Sequence, residues 1–222
     1  VSANNYLIDD TVANALTYGV PQFRERVFMV GIQKNIYAHK TNTLSFDWNR
    51  YSLFDVKTIL SMKWPTTTPF AVDSILPFPS KKLPKKITVE YWFKKNDVLH
   101  HINGNDIFEV KAGREKISTI QEGDTSRKSF KRLHRWRYSP TAAYGHNEVH
   151  LHPYKERRIS VAEAMAIQSL PKDFVILQTL SLSQKFKMVG NGVPYLMAAA
   201  IAKTLKETLY EIQEENNEKN SD

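Results

Sequence analysis

Gln22, Arg24 and Arg26 alternate with Phe23 and Glu25 in the stretch Tyr18-Gly19-Val20-Pro21-Gln22-Phe23-Arg24-Glu25-Arg26-Val27-Phe28. In an extended segment, residues two apart project to the same side. One carboxamide and two guanidiniums would therefore share a face. Two arginines so placed can grip adjacent phosphates, or one can reach a base carbonyl, through charge-assisted hydrogen bonds. The alternative is an Arg–Glu ladder along a strand edge. A second candidate is Gly190-Asn191-Gly192-Val193, which is either an ordinary loop or a Gly-rich turn opening a helix and presenting amides to a carboxylate. Six of the seven histidines fall between 100 and 152. His150-x-His152 has no cysteine partner and no helical i,i+4 spacing, so no metal site is expected. With no cysteine at all, the chain offers no thiol nucleophile, no thiolate metal site and no disulfide.

The elements that must position these residues differ along the chain. Residues 1–38 read as the end of an α/β unit. Thr11 to Leu16 reads as a short helix, followed by a turn with Gly19 and Pro21 as its punctuation. Val27 to Ile32 is a nearly continuous, β-branched apolar run, which suits a central strand covered on both faces. Residues 39–150 have scattered prolines and short β-prone runs, and read as a small irregular domain containing β-structure. Ile87 to Phe93 is expected as a strand. Asn103-Gly104-Asn105 is expected as the turn of a hairpin joining His101-Ile102 to Ile107–Val110. Residues 151–222 read as mainly helical. Ser160 and Glu163 fit a capping box, and that helix should stop by Leu170-Pro171. A last helix begins at Pro194 and carries Leu196, Ala199, Ala200, Leu205, Leu209 and Ile212 on one broad face.

Charge is segregated. The net +8 resides in residues 81–138, which hold fifteen basic and seven acidic side chains; the flanking segments are nearly neutral. Such a stripe is the footprint expected for polyphosphate contact. Lys128, Lys131, Arg132, Arg135 and Arg137 are its DNA-binding candidates, and charge reversal of Lys131, Arg132 and Arg135 is expected to weaken DNA binding. Tyr91, Trp92, Trp136 and Tyr138 lie among these charges, to pack on sugars or bases or to serve a core. No apolar run approaches the length of a membrane span, and the start has no signal-peptide character.

Three motifs in order resemble the cytosine-5 DNA methyltransferases. Gly19-Val20-Pro21-Gln22-Phe23-Arg24-Glu25-Arg26-Val27-Phe28 resembles the eighth motif of that family, Arg158 to Pro171 the ninth, and Gln184 to Pro194 the tenth. The basic segment between the first two takes the place of the family's variable target-recognition domain, and Ser139-Pro140-Thr141-Ala142 resembles its end. Thr141 fits as a DNA contact, whereas Ala142 departs from the Leu, Ile or Val of relatives.

The resemblance implies an α/β fold. The chain would be the C-terminal part of a Rossmann-like, S-adenosylmethionine-dependent methyltransferase domain, with a target-recognition domain at 39–150 and the ninth and tenth motifs at 151–222. Arg26 would contact a flipped-out target cytosine, and Arg24 and Gln22 would brace the pocket. Gly190, Asn191 and Gly192 would form the turn near the amino-acid end of the cofactor. Glu163 and Gln168 would cap and pack. The partner would be duplex DNA, in a bacterial cytoplasm. The family's Gly-rich cofactor loop, Pro-Cys nucleophile and Glu-Asn-Val segment do not occur here, so the chain alone is expected to be inactive. They would lie upstream, in the same chain or in a catalytic subunit acting in trans. A DNA-binding protein that keeps the fold without catalysis is the reading from another class, and an RNA cytosine methyltransferase ranks lower.

Overall fold

The computed structural model describes residues 5–36, 43–110, 114–127, 129–142, 144 and 149–219. Strand β1 (Tyr6–Asn14) and strand β2 (Glu25–Gln33) form an antiparallel hairpin with Val12 opposite Val27 and Leu7 opposite Ile32. The segment Thr11 to Leu16 is therefore not a helix. It is the end of β1 running into a single 3-10 turn, Ala15–Tyr18, which begins where the Asn14 side chain accepts the Leu16 amide at 3.1 Å. Gly19 closes that turn at φ +82°, a left-handed conformation that costs glycine little.

The expected strand at Val27–Ile32 is present, but only one face is covered among the described residues. Val30 and Ile32 are buried, while Val27 and Met29 are 70% and 63% exposed. The sheet consists of two antiparallel strands. Its covered face packs on the last helix, α6 (Tyr195–Lys219): Leu7, Ala13, Val30 and Ile32 meet Met197, Ile201 and Ile212. Each such aliphatic side chain contributes about 1.5–3 kcal/mol when fully removed from water. Leu209, expected on that face, is 41% exposed.

Between hairpin and C-terminal helices lie α1 (Val56–Ser61), α2 (Val89–Lys95) and α3 (Arg114–Ser118). The stretch expected as a strand at Ile87–Phe93 is instead the end of a 3-10 turn followed by α2. Val89, Trp92 and Phe93, spaced i, i+3, i+4, are the buried apolar residues, and Glu90 pairs with Lys94 one turn on. The hairpin expected around Asn103-Gly104-Asn105 is a run of turns, and Ile107 makes a lone bridge to Ser160. Asn103 is fully buried; its carboxamide donates to Ile176 O (2.9 Å) and accepts from Ile176 N (3.1 Å), standing in for a strand neighbour. Among the described residues, the middle segment holds isolated bridges rather than strands.

Helices α4 (Val161–Ile167) and α5 (Leu182–Asn191) complete the fold. The Ser160–Glu163 capping box forms in both directions. A second box, Ser181 with Gln184, starts α5, whose last two residues, Gly190 and Asn191, were expected in a turn. Val89, Trp92 and Phe93 of α2 share one core with Ile159, Met165, Phe186 and Val189, so the middle segment is built onto the C-terminal helices. Trp92 and Trp136 are core residues, 3% and 6% exposed, with their indole N–H groups on backbone carbonyls of Lys86 and Leu76.

Candidate functional site

The chain leaving the Gly19 turn is clasped by a distant segment before β2 begins. Phe23 N donates to Ser139 O and Ser139 N to Pro21 O, each at 2.8 Å, and the Thr141 hydroxyl donates to Phe23 O at 2.7 Å. Gln22 is fully buried, and its Oε1 accepts the Ala142 amide at 3.1 Å. Three consecutive residues thus lock onto 139–142, more than a hundred positions away.

Arg24 extends this clasp to the far end of the chain. It is fully buried, and donates to Ala142 O (3.0 Å), Gly190 O (2.7 Å) and Gly192 O (3.2 Å). Burial, and secondarily the charge of Arg26, lowers its pKa to about 10. It stays cationic at neutral pH, its charge spread over three carbonyl dipoles. Gly190 permits the close approach: a Cβ there would lie 3.3 Å from the Tyr144 backbone nitrogen. The Tyr144 hydroxyl is buried without a hydrogen-bond partner among the described residues, and burial raises its pKa well above that of an ordinary tyrosine.

Arg26 is different. It lies on β2, is exposed, and its only hydrogen bond among those described is to its own neighbour's carbonyl, Glu25 O, at 2.7 Å. The spacing of two therefore does not give Gln22, Arg24 and Arg26 a common environment. Two are interior braces and the third reaches solvent.

At the other side of the clasp, Asn191 ends α5 and is exposed, with no hydrogen bond to its carboxamide among the described residues. Three backbone amides at this turn and the start of α6 are engaged within the protein. Gly192 N donates to Met188 O, Tyr195 N to Gln168 O, and Leu196 N to Ser169 Oγ. Gly192 has φ −64°, and a Cβ added to it would meet no atom closer than 3.4 Å, so its backbone does not require glycine. Among the described residues the Asn191 side chain is free to make one hydrogen bond to a bound amino-acid group. Gln168 ties the ninth-motif helix to this turn, with Nε2 on Val189 O at 2.9 Å.

The DNA-binding candidates divide. Lys131, Arg137 and Thr141 line one cleft of about 440 Å³ together with Phe23, His134 and Tyr138. Arg132 and Arg135 do not reach the surface, which corrects the expectation that they meet phosphate. Arg132 is fully buried and holds the carbonyls of Ile117 (2.7 Å), Ile120 (2.9 Å), His152 (2.5 Å) and Lys155 (3.1 Å). Burial lowers its pKa to about 10. Arg135 is 4% exposed and forks onto Glu122 and Ser74. Lys128 lies outside the described residues. Nothing in residue type or spacing separates these arginines from Arg137, because Arg132, Leu133, His134, Arg135 and Trp136 are buried in succession, without alternation. His150 and His152 are buried, and among the described residues no three metal-capable side chains gather.

Comparison with known proteins gives the family. The family described as "C-5 cytosine-specific DNA methylase" matches residues 1–207. The type II methyltransferase M.NmeDI of Neisseria meningitidis is 50% identical over 204 residues, covering 92% of this chain and 47% of that protein. The type II methyltransferase M.AquIB of Picosynechococcus is 30% identical over 133 residues, covering 53% of this chain but 96% of that protein. Among solved structures, a prophage-encoded DNA modification methyltransferase of E. coli superposes with a TM-score of 0.55 at 21% identity, over 94% of this chain and 62% of that one. The chain thus spans about half the length of long relatives such as M.NmeDI, and no helix among its described residues is long and apolar enough to cross a membrane. With the eighth, ninth and tenth motifs drawn together by Arg24 and Gln168, and a family match over nearly the whole sequence, the chain belongs to the C-5 cytosine-specific DNA methylases.

Proposed function

We propose that this chain is the target-recognition and pocket-bracing portion of a DNA (cytosine-5) methyltransferase. The complete protein would transfer a methyl group from S-adenosylmethionine to C5 of a flipped-out cytosine in duplex DNA, in a bacterial restriction–modification setting and in the cytoplasm. The observation that carries this reading is the Arg24 fork, which joins the end of the recognition segment at Ala142 to the turn at Gly190 and Gly192.

Each residue then has a role set by its surroundings. Gln22 and Arg24 are positioning residues that hold the 139–142 segment and the Asn191 turn in one frame. Arg26, exposed beside them, is the group that meets the extruded base or its phosphate. A base must leave the stack because its C5 edge is inaccessible within it. Asn191 would help hold the cofactor, which supplies an electrophilic methyl group when bound. Lys131, Arg137 and Thr141 would bind DNA along their cleft. The thiol that activates cytosine must come from outside this chain, which contains no cysteine.

A second arrangement has a specific observation in its favour. M.AquIB matches 53% of this chain over 96% of its own length, so a related protein consists of little more than the part it shares with this chain. The catalytic part could accordingly be joined in cis or supplied in trans. The test is to incubate duplex DNA with radiolabelled S-adenosylmethionine and this chain, with and without the cysteine-bearing part, and to analyse the hydrolysed bases. The reading expects 5-methylcytosine only when both parts are present. No methylation with both parts, or label on another atom, would refute it.

A further inference from the structure

The cleft that holds Lys131 and Thr141 contains a second cation, set for a different kind of contact. Arg137 is part-buried in its wall, and no carboxylate lines the cleft among the described residues. The Arg137 guanidinium lies 5.2 Å from the centre of the Tyr138 ring. Trp64 meets that ring edge to face, with centroids 5.3 Å apart, and Tyr138 packs against the core of Leu16, Ile59 and Ile87. The main chain is fixed as well: Arg137 N donates to His134 O (3.2 Å), and Arg137 O accepts from Val89 N (3.0 Å).

Backbone and ring are thus set, while the guanidinium N–H groups have neither a hydrogen-bond nor an ion-pair partner among the described residues. None of its nitrogens is closed off from solvent. The neighbouring arginines are committed elsewhere: Arg127 to Asp124 (3.5 Å), Arg132 to interior carbonyls and Arg135 to Glu122 (2.8 Å). A planar guanidinium held against a fixed ring offers parallel donors with little rotamer freedom left to lose. Those donors match two acceptors lying side by side. In the major groove guanine alone supplies that pair, O6 and N7; adenine sets an acceptor beside a donor, and thymine an acceptor beside a methyl group. A phosphate asks only for charge, which Lys131 provides in the same cleft. The cleft also adjoins the eighth motif. Phe23 lines it, the Phe23 carbonyl accepts the Thr141 hydroxyl, and Arg26 is three residues further on, at most about 10 Å of extended chain.

We propose that Arg137 is a specificity-determining residue: its fork reads O6 and N7 of a guanine a few base steps from the target cytosine, while Lys131 meets a phosphate. The assignment rests on the reading of the complete protein as a DNA (cytosine-5) methyltransferase.

The test gives the complete, cysteine-bearing protein duplexes with randomised bases around a central cytosine and reads the methylated products by bisulfite sequencing. The unsubstituted protein should prefer guanine at one or more positions. In Arg137→Ala and Arg137→Met that preference should fall at least tenfold at one of them, the other positions keeping theirs. Duplexes with 7-deazaguanine there, which lacks the N7 acceptor, should be methylated at least tenfold more slowly than guanine duplexes by the unsubstituted protein, and equally fast by Arg137→Ala. Lys131→Glu should instead weaken every sequence alike. The guanidinium has no partner to lose, so melting temperature should hold. A fall in both Arg137 variants would make it an internal brace, as it would be if a carboxylate of the catalytic part paired with it, and would overturn the proposal. So would a uniform loss across sequences, or indifference to 7-deazaguanine at every preferred guanine. Each of these leaves the methyltransferase reading standing, whereas no 5-methylcytosine from the unsubstituted protein would defeat both.

Discussion

Arg24 and Arg26 are two positions apart and have opposite surroundings, and that difference decides what each can do. Arg24 donates to three carbonyls, that of Ala142 in a buried bond and those of Gly190 and Gly192 in part-buried ones. Replacing it by Met removes all three bonds while keeping much of the volume. Unmade buried bonds cost about 1–3 kcal/mol each before relaxation, so Arg24→Met should lower the melting temperature by roughly 5–10 °C in a chain of this size. A calorimetric scan showing no change would contradict the bracing role. In the sequence, Arg24 is legible as a brace only through the family resemblance. Side-chain spacing alone puts Gln22, Arg24 and Arg26 on one face, because it does not reveal that β2 begins only at Glu25. Arg132 and Arg135 show the same limit from the other side. A run of basic residues gives net charge directly, but whether each cation faces solvent depends on carbonyls and carboxylates folded in from Ile117 to Lys155.

At the scale of elements, the Ser160 cap and the strand at Val27–Ile32 were readable, whereas β1 and the helix at Val89–Lys95 were not. Ser160 and Glu163 are local, three residues apart, and their reciprocal bonds need no distant partner. Ser160→Ala should cost about 1 kcal/mol, readable as a lower urea midpoint. Ile87–Phe93 is rich in β-formers yet becomes helical, because Val89, Trp92 and Phe93 gain a core with α4 and α5 that an alternating strand would forfeit. Tertiary packing outweighs β-propensity there. His150 ties stability to pH. Burial, and then the charge of Lys131, lowers its pKa to about 4 from an ordinary 6.5. The folded state therefore refuses a proton that the unfolded state accepts. The contribution is complete above about pH 6.5 and is lost as pH falls toward 4, amounting to roughly 2–3 kcal/mol. In His150→Phe, urea midpoints measured from pH 7 to pH 4.5 should fall less steeply than in the unsubstituted protein. An equal slope would remove His150 as the cause.

Across the whole molecule, the three motifs are held in one frame by few long-range bonds, and an apolar face of the hairpin, Val12, Val27 and Met29, remains uncovered among the described residues. That frame places Lys131, Arg137 and Thr141 along the 440 Å³ cleft, within a basic segment that also exposes Lys81, Lys82, Lys85 and Lys86. Lys131→Glu with Arg137→Glu should weaken DNA binding and reduce the slope of log affinity against log salt by about 1 for each phosphate no longer neutralised. Arg132→Glu, by contrast, should abolish folding. An unchanged salt slope in the double variant would move the DNA-binding surface elsewhere. The proposed chemistry turns on Arg26, the exposed cation of the eighth motif. Its most direct test is the steady-state methylation rate of the complete, cysteine-bearing protein carrying Arg26→Ala, measured beside its melting temperature. The expected result is a loss in kcat/KM of about 100-fold or more, equivalent to about 2.7 kcal/mol of transition-state stabilisation, with melting unchanged within a degree or so. Full activity in Arg26→Ala, or activity that falls only in step with stability, would contradict it.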